Sequence, residues 1–191
     1  AYILNLSCGF QNPLQIFHAY HLPYSLLMTR IFGSDRIQVK QDVMRLLKGK
    51  TEQEVNNICL AFVKQVVTKY ISVRAVKAME NHQKEGYKII VISASPEIYL
   101  IPLCKFLGVD FCIGTKVVVN DGNTFVVGDH CYGAEKISRL NQLIDEEKFT
   151  MDYKNSFFYS DHHSDIPLLE HVGNPVVVNA HAQSGSSHTS S

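Results

Sequence analysis

Tyr159-Ser160-Asp161-His162-His163-Ser164-Asp165-Ile166-Pro167-Leu168-Leu169-Glu170 is the stretch on which the reading of this chain turns. It sets two acids, Asp161 and Asp165, on one loop directly after the short apolar run Phe157-Phe158-Tyr159. Such a run reads as a buried parallel strand, and open α/β sheets bind their ligands beyond the carboxyl ends of these strands. One carboxylate there can hold a hard cation through its oxygens while the other fixes it in orientation. The plainer alternative is a loop acid at Asp161 and a helix N-cap at Asp165.

Working outward, Lys88-Ile89-Ile90-Val91-Ile92 is a continuous apolar run ending in Ser93-Ala94-Ser95-Pro96, and a helix from Val73 to Glu85 feeds it through Gly86. A helix over Ile98 to Leu107 stops at Gly108, and Phe111-Cys112-Ile113 follows as a short strand. Thr115 to Val119 and Thr124 to Val127 flank Asn120-Asp121-Gly122-Asn123, a hairpin signal, because Asp-Gly supports positive φ in a tight turn. Gly133-Ala134-Glu135-Lys136 opens another helix.

The segment from Asn12 to Ala78 has helical character throughout. Pro13 to Phe32 is apolar and aromatic-rich, broken at Pro23 and ended by Gly33, and Ser34 to Leu47 continues it amphipathically. Thr51-Glu52-Gln53-Glu54 is a capping box whose helix carries Val55, Ile58, Cys59, Phe62, Val63 and Val66 at helical spacing.

The text from Tyr159 to Ala180, YSDHHSDIPLLEHVGNPVVVNA, closely resembles the fourth motif of haloacid-dehalogenase phosphatases, in the phosphoserine-phosphatase-like subgroup with a helical cap. The strand ending at Ser93 resembles the second motif, which delivers a serine hydroxyl to a phosphoryl oxygen. The helix opening at Lys136 resembles the third, whose lysine neutralises the phosphate and the nucleophile. The resemblance implies an α/β fold, a Rossmannoid parallel sheet flanked by helices with an inserted α-helical cap. It divides the chain into a core of residues 1–11 and 76–180, a cap of residues 12–75 and a flexible tail at 181–191, where Ser, His and Gly dominate.

The first motif of that family is an apolar strand followed by Asp-x-Asp-Gly-Thr, whose first aspartate attacks phosphorus and binds magnesium and whose second shuttles the proton. Here the matching text is Tyr2-Ile3-Leu4-Asn5-Leu6-Ser7-Cys8-Gly9, with Asn5 at the nucleophile position and Ser7 at the acid/base position. A carboxamide is a poor nucleophile, and a serine hydroxyl has no pKa near neutrality for proton transfer. Magnesium favours anionic oxygens, so with Asn5 in place Asp161 and Asp165 are expected to bind Mg2+ weakly or not at all. Cys8 is disfavoured as a substitute nucleophile, since it sits one residue past the acid/base position and no neighbouring base is visible. A joint site of His162, His163, Asp161 and Asp165 for zinc or manganese is disfavoured, because adjacent side chains on an extended loop point apart.

Composition narrows the function classes. With 191 residues, 46% of them hydrophobic, the chain can bury a core with an inserted subdomain. Zero formal net charge and no basic stripe argue against nucleic acid as a partner. Five cysteines without a CxxC pair suit free thiols in a reducing compartment, and no secretory or membrane-spanning segment is apparent, so the expected location is cytoplasmic. The expected function is a pseudophosphatase, a binding or assembly subunit with a protein partner, retaining an anion site built from Ser93 and Lys136. The alternatives are an active magnesium-dependent phosphomonoester hydrolase and a membrane-surface module docking through Phe17, Tyr20, Tyr24, Leu26, Leu27 and Phe32.

Overall fold

Ile89, Ile90, Val91 and Ile92 form the first half of β2 (Ile89–Pro96), and none is more than 1% exposed. Burial on both faces is what a strand inside a parallel sheet requires. The computed structural model describes residues 2–4, 44, 47–69 and 71–178. Around β2 stand β1 (Tyr2–Leu4), β3 (Phe111–Thr115), β6 (Phe157–Ser160) and β7 (Asn174–Val177), in the order β3-β2-β1-β6-β7. Every pairing is parallel: Leu4 faces Val91 on one side and Tyr159 on the other, and Ser160 faces Val177. The chain therefore leaves β1 first toward β2 and β3, then returns to its other side at β6. The reversal puts the topological switch point at the carboxyl ends of β1 and β6.

The side-chain period of two sorts the core into two layers. Ile90 and Ile92 join Ile113, Leu140, Phe158 and Leu168 on one face, beneath α4 (Glu135–Glu147) and α5 (Ile166–Leu169). Ile89 and Val91 join Met79, Leu100 and Cys104 on the other, beneath α2 (Val73–Lys84) and α3 (Glu97–Phe106). Each of these fully buried aliphatic side chains contributes roughly 1.5–3 kcal/mol.

The helical segment ahead of β2 starts α1 (Glu52–Lys69) with the expected capping box. The Thr51 hydroxyl accepts from the Glu54 amide at 3.3 Å, while the Glu54 carboxylate accepts from the Thr51 amide at 2.7 Å. Those hydrogen bonds from Thr51 pull the Glu54 carboxyl below its ordinary pKa. Val55 and Cys59 pack on Ile98, Tyr99, Val117 and Val119, and Val63 on Leu103, so α1 lies along α3 and one face of the hairpin. Ile58, placed in sequence on the same stripe, is exposed. The described residues from 44 to 75 contain helix and turn and no strand. The apolar segment from Pro13 to Phe32 and most of Ser34 to Leu47 lie outside the described residues.

Two of the boundaries that differ from the sequence reading lie where β2 meets β3. The strand expected to end at Ile92 runs on to Pro96, where Pro96 pairs with Thr115 after an irregularity in the ladder. Proline lacks a donor, and a strand end beyond a bulge is a place where that costs nothing. Thr115 accordingly closes β3 instead of opening the hairpin, and its hydroxyl donates to the Ala94 carbonyl at 2.8 Å. The hairpin is β4 (Val117–Asn120) and β5 (Asn123–Val126), turning at Asp121 and Gly122 with φ of 48° and 71°.

Candidate functional site

The carboxyl end of β6 delivers Ser160, fully buried, then Asp161, exposed, and a short 3-10 turn, His163–Asp165, that carries Asp165 back underneath. Asp165 does not act as a helix cap: α5 starts with no side-chain hydrogen bond from it. Its Oδ1 instead accepts from the Lys136 ammonium at 2.6 Å, and its Oδ2 accepts from the Ser160 hydroxyl at 2.7 Å. The side chains of the ion pair are 4% and 0% exposed. Two charges removed from water in this way persist only when closely paired and further hydrogen-bonded, a condition Ser160 helps to meet.

Lys136 comes from the first turn of α4, which lies against β2 and α5. The preceding loop runs beside the Asp161 loop. Gly133 has φ of 57°, and a Cβ placed on it would meet the Ser164 carbonyl at 4.0 Å. The same loop is anchored by Thr115, whose hydroxyl oxygen accepts the Cys131 amide at 3.3 Å, and by Arg139, which donates to the Gly114 carbonyl, the Asp129 carbonyl and the Glu135 carboxylate. Burial pushes the Cys131 thiol up to about 11, despite the nearby Lys136 and Arg139 charges, so it is no nucleophile at neutral pH.

Ser93 is buried near the end of β2, two positions beyond Val91, the partner of Leu4. Its hydroxyl oxygen accepts the Ser95 amide at 3.1 Å, which leaves the hydroxyl proton for donation. Strand order thus brings Ser93 and Asp161 to the carboxyl ends of the two strands flanking β1, and the ion pair joins Lys136 to Asp165. Asn5, Ser7 and Cys8 lie outside the described residues; Leu4, next to Asn5 in sequence, is the last described residue of β1.

Sequence reading named Lys136 and Asp165 but not their direct contact, and it gave Ser160 no role. The signal for Ser160 was a small hydroxyl at the end of an apolar strand, immediately ahead of an acid. The expectation that His162 and His163 point apart is corrected: their rings stack, with centroids 4.3 Å apart and planes at 30°. The 3-10 turn beginning at His163 departs from the extended geometry on which that expectation rested.

The magnesium ion implied by the resemblance finds a poor donor set here. Both oxygens of Asp165 are engaged, one by an ammonium, which leaves Asp161 as the carboxylate facing outward. Among the described residues no group of three or more His, Cys, Asp or Glu side chains could hold a metal ion. Magnesium keeps several waters and takes one or two carboxylates, and among the described residues Asp161 is the carboxylate of this loop open to it.

A family model described as haloacid dehalogenase-like hydrolase matches residues 6–170. A histidinol-phosphatase of Neisseria meningitidis is 30% identical over 137 residues, covering 70% of this chain and 62% of that protein. A probable phosphatase of Mycobacterium tuberculosis is 28% identical over 160 residues, covering 82% of this chain and 55% of the relative. The chain therefore spans between about half and two thirds of the length of these curated relatives. Among solved structures, a protein of unknown function from Bordetella pertussis superposes with a TM-score of 0.75 at 20% identity, covering 92% of this chain and 88% of the other. A phosphoserine phosphatase captured as a phospho-aspartyl intermediate analogue superposes with a TM-score of 0.62 at 15% identity, covering 92% and 84%. At these identities the superpositions establish the fold.

Proposed function

The chain belongs to the haloacid dehalogenase-like hydrolases, and within that family we propose that it binds a phosphate group without transferring it, serving as a binding or assembly subunit. The observation that carries this reading is the coexistence of the buried Lys136–Asp165 pair with Asn5 and Ser7 in the first-motif text. Lys136 brings positive charge and Ser93 a hydroxyl donor to the carboxyl edge of the sheet, a combination suited to an anion. Asn5 offers no anionic oxygen to attack phosphorus, and Ser7 holds its proton too tightly to pass it to a leaving alcohol. With Asn5 in place of a carboxylate, magnesium would lose one anionic ligand, and the charge developed in phosphoryl transfer would be less stabilised.

The finer features of this reading are proposals of the same kind. Residues 1–11 and 76–180 would form the core, residues 12–75 the cap and residues 181–191 the tail. Zero net charge favours a protein partner over nucleic acid. The described cysteines, Cys59, Cys104, Cys112 and Cys131, form no disulfide, which suits a cytoplasmic setting. Among the described residues no helix is long and apolar enough to cross a membrane, and the aromatic segment behind the membrane-docking alternative lies outside them.

A second reading, an active magnesium-dependent phosphomonoesterase, is favoured by the 30% identity to a histidinol-phosphatase. Assay of the purified chain with phosphoserine and p-nitrophenyl phosphate, with and without magnesium, separates the two. The expected result is no hydrolysis above background. Asn5→Asp with Ser7→Asp should restore magnesium affinity before turnover, because Cys8 and Gly9 still alter the loop. Turnover by the unaltered chain that disappears in Asp161→Asn would establish the phosphatase instead.

A further inference from the structure

Three rings occupy the rim where the two functional loops meet. Tyr132, four residues before Lys136, is 44% exposed. His162, the residue after Asp161, lies edge-on to it, with ring centroids 6.0 Å apart and planes at 67°. His163 stacks on His162 at 4.3 Å. These separations suit ring–ring contact, and the rings are contributed by both loops.

The central ring is held in place. The Ser164 amide donates to His162 Nδ1 at 3.1 Å, and the Ser164 hydroxyl sits 2.7 Å from the same nitrogen. A nitrogen accepting from an amide carries no proton, so the neutral ring has its proton on Nε2. The one Ser164 hydroxyl proton goes to Nδ1, so the 3.5 Å approach of the same oxygen to Asp165 Oδ1 places the ring near the buried ion pair without a hydrogen bond to it. A platform ordered before a ligand arrives spares binding the cost of fixing it.

We propose that Tyr132, His162 and His163 form a ring-binding subsite beside the anion site, taking phosphate monoesters whose organic part is a flat, π-bearing ring. This rests on the anion-site reading above and adds the class of ligand. A flat ring packing on an outer face or edge of this cluster would gain the complementary quadrupole contact that a puckered saturated ring of equal size lacks.

The test is calorimetric titration of the full chain with inorganic phosphate, phenyl phosphate and cyclohexyl phosphate. Phenyl phosphate is expected to bind roughly three- to tenfold more tightly than cyclohexyl phosphate, the range of one good aromatic contact. The ratio should fall to about one in Tyr132→Ala and persist in Tyr132→Phe, which keeps the ring and drops the hydroxyl. His163→Ala, at an exposed position, should lower the ratio as well, so the outcome does not depend on Tyr132 variants folding. Equal affinity for the two esters, or a preference that survives both alanine changes, overturns the subsite while the anion site stands. If phosphate and both esters all fail to bind, the anion-site reading falls and the subsite falls with it.

Discussion

Two lysine–aspartate pairs sit at opposite edges of the same sheet. At the carboxyl edge Lys136 meets Asp165 at 2.6 Å with both side chains buried; at the amino edge Lys88 meets Asp110 at 2.7 Å with side chains 69% and 25% exposed. Geometry alone does not tell them apart. Environment does: the outer pair gains little from an attraction that water and salt screen, whereas the inner pair would leave a bare charge in the protein interior if either partner were lost. Asp110 has a further task, because its second oxygen accepts the Ile89 amide at 2.8 Å and so ties the start of β3 to the start of β2. One edge is stapled at the surface, and the other keeps its paired charges buried.

The comparison can be broken most directly at Lys136. Lys136→Ala should lower unfolding free energy in urea by about 3–5 kcal/mol, the cost of an uncompensated buried carboxylate. A loss below about 1 kcal/mol would mean the pair is no more coupled than a surface one. Removing both charges together, Lys136→Met with Asp165→Leu, should cost much less than the sum of the single changes, since no orphaned charge remains. Additive losses in that cycle would contradict the coupling. At the other edge Asp110→Ala should cost about 1–2 kcal/mol, chiefly through the stranded Ile89 amide. The smallest effect belongs to Lys88→Ala, below about 1 kcal/mol and shrinking further at high salt, while the Lys136→Ala loss should be nearly insensitive to salt.

The same contrast explains what could be read in advance. The parallel core was legible because Ile89 to Ile92 and Phe157 to Tyr159 are short apolar runs placed between helical segments, and the hairpin because Asp121-Gly122 permits only a tight turn. Lys136 and Asp165 could be named from their motifs. Their burial could not, since a lysine on the second residue of an amphipathic helix looks solvated until the loops around it are placed. The continuation of β2 through Ser93 to Pro96 was hidden for a related reason: the apolar run stops at Ile92, and the Ala94 carbonyl accepts from Thr115, which another strand supplies. The stacking of His162 on His163 likewise depends on a 3-10 turn that no local preference announced.

The position of β1 has a consequence for how the molecule is made. It lies between β2 and β6, yet it precedes both in the chain, with Tyr2 paired to Ile89 on one side and to Phe157 on the other. A nascent chain that has emerged only as far as α4 can dock β1 on β2 but leaves its far edge, and the core layer that Phe158 fills, open to whatever is near. Coverage of that second edge waits for Phe157 to Ser160, so the long-range pairing that creates the switch point is also the step that shields β1 on both sides.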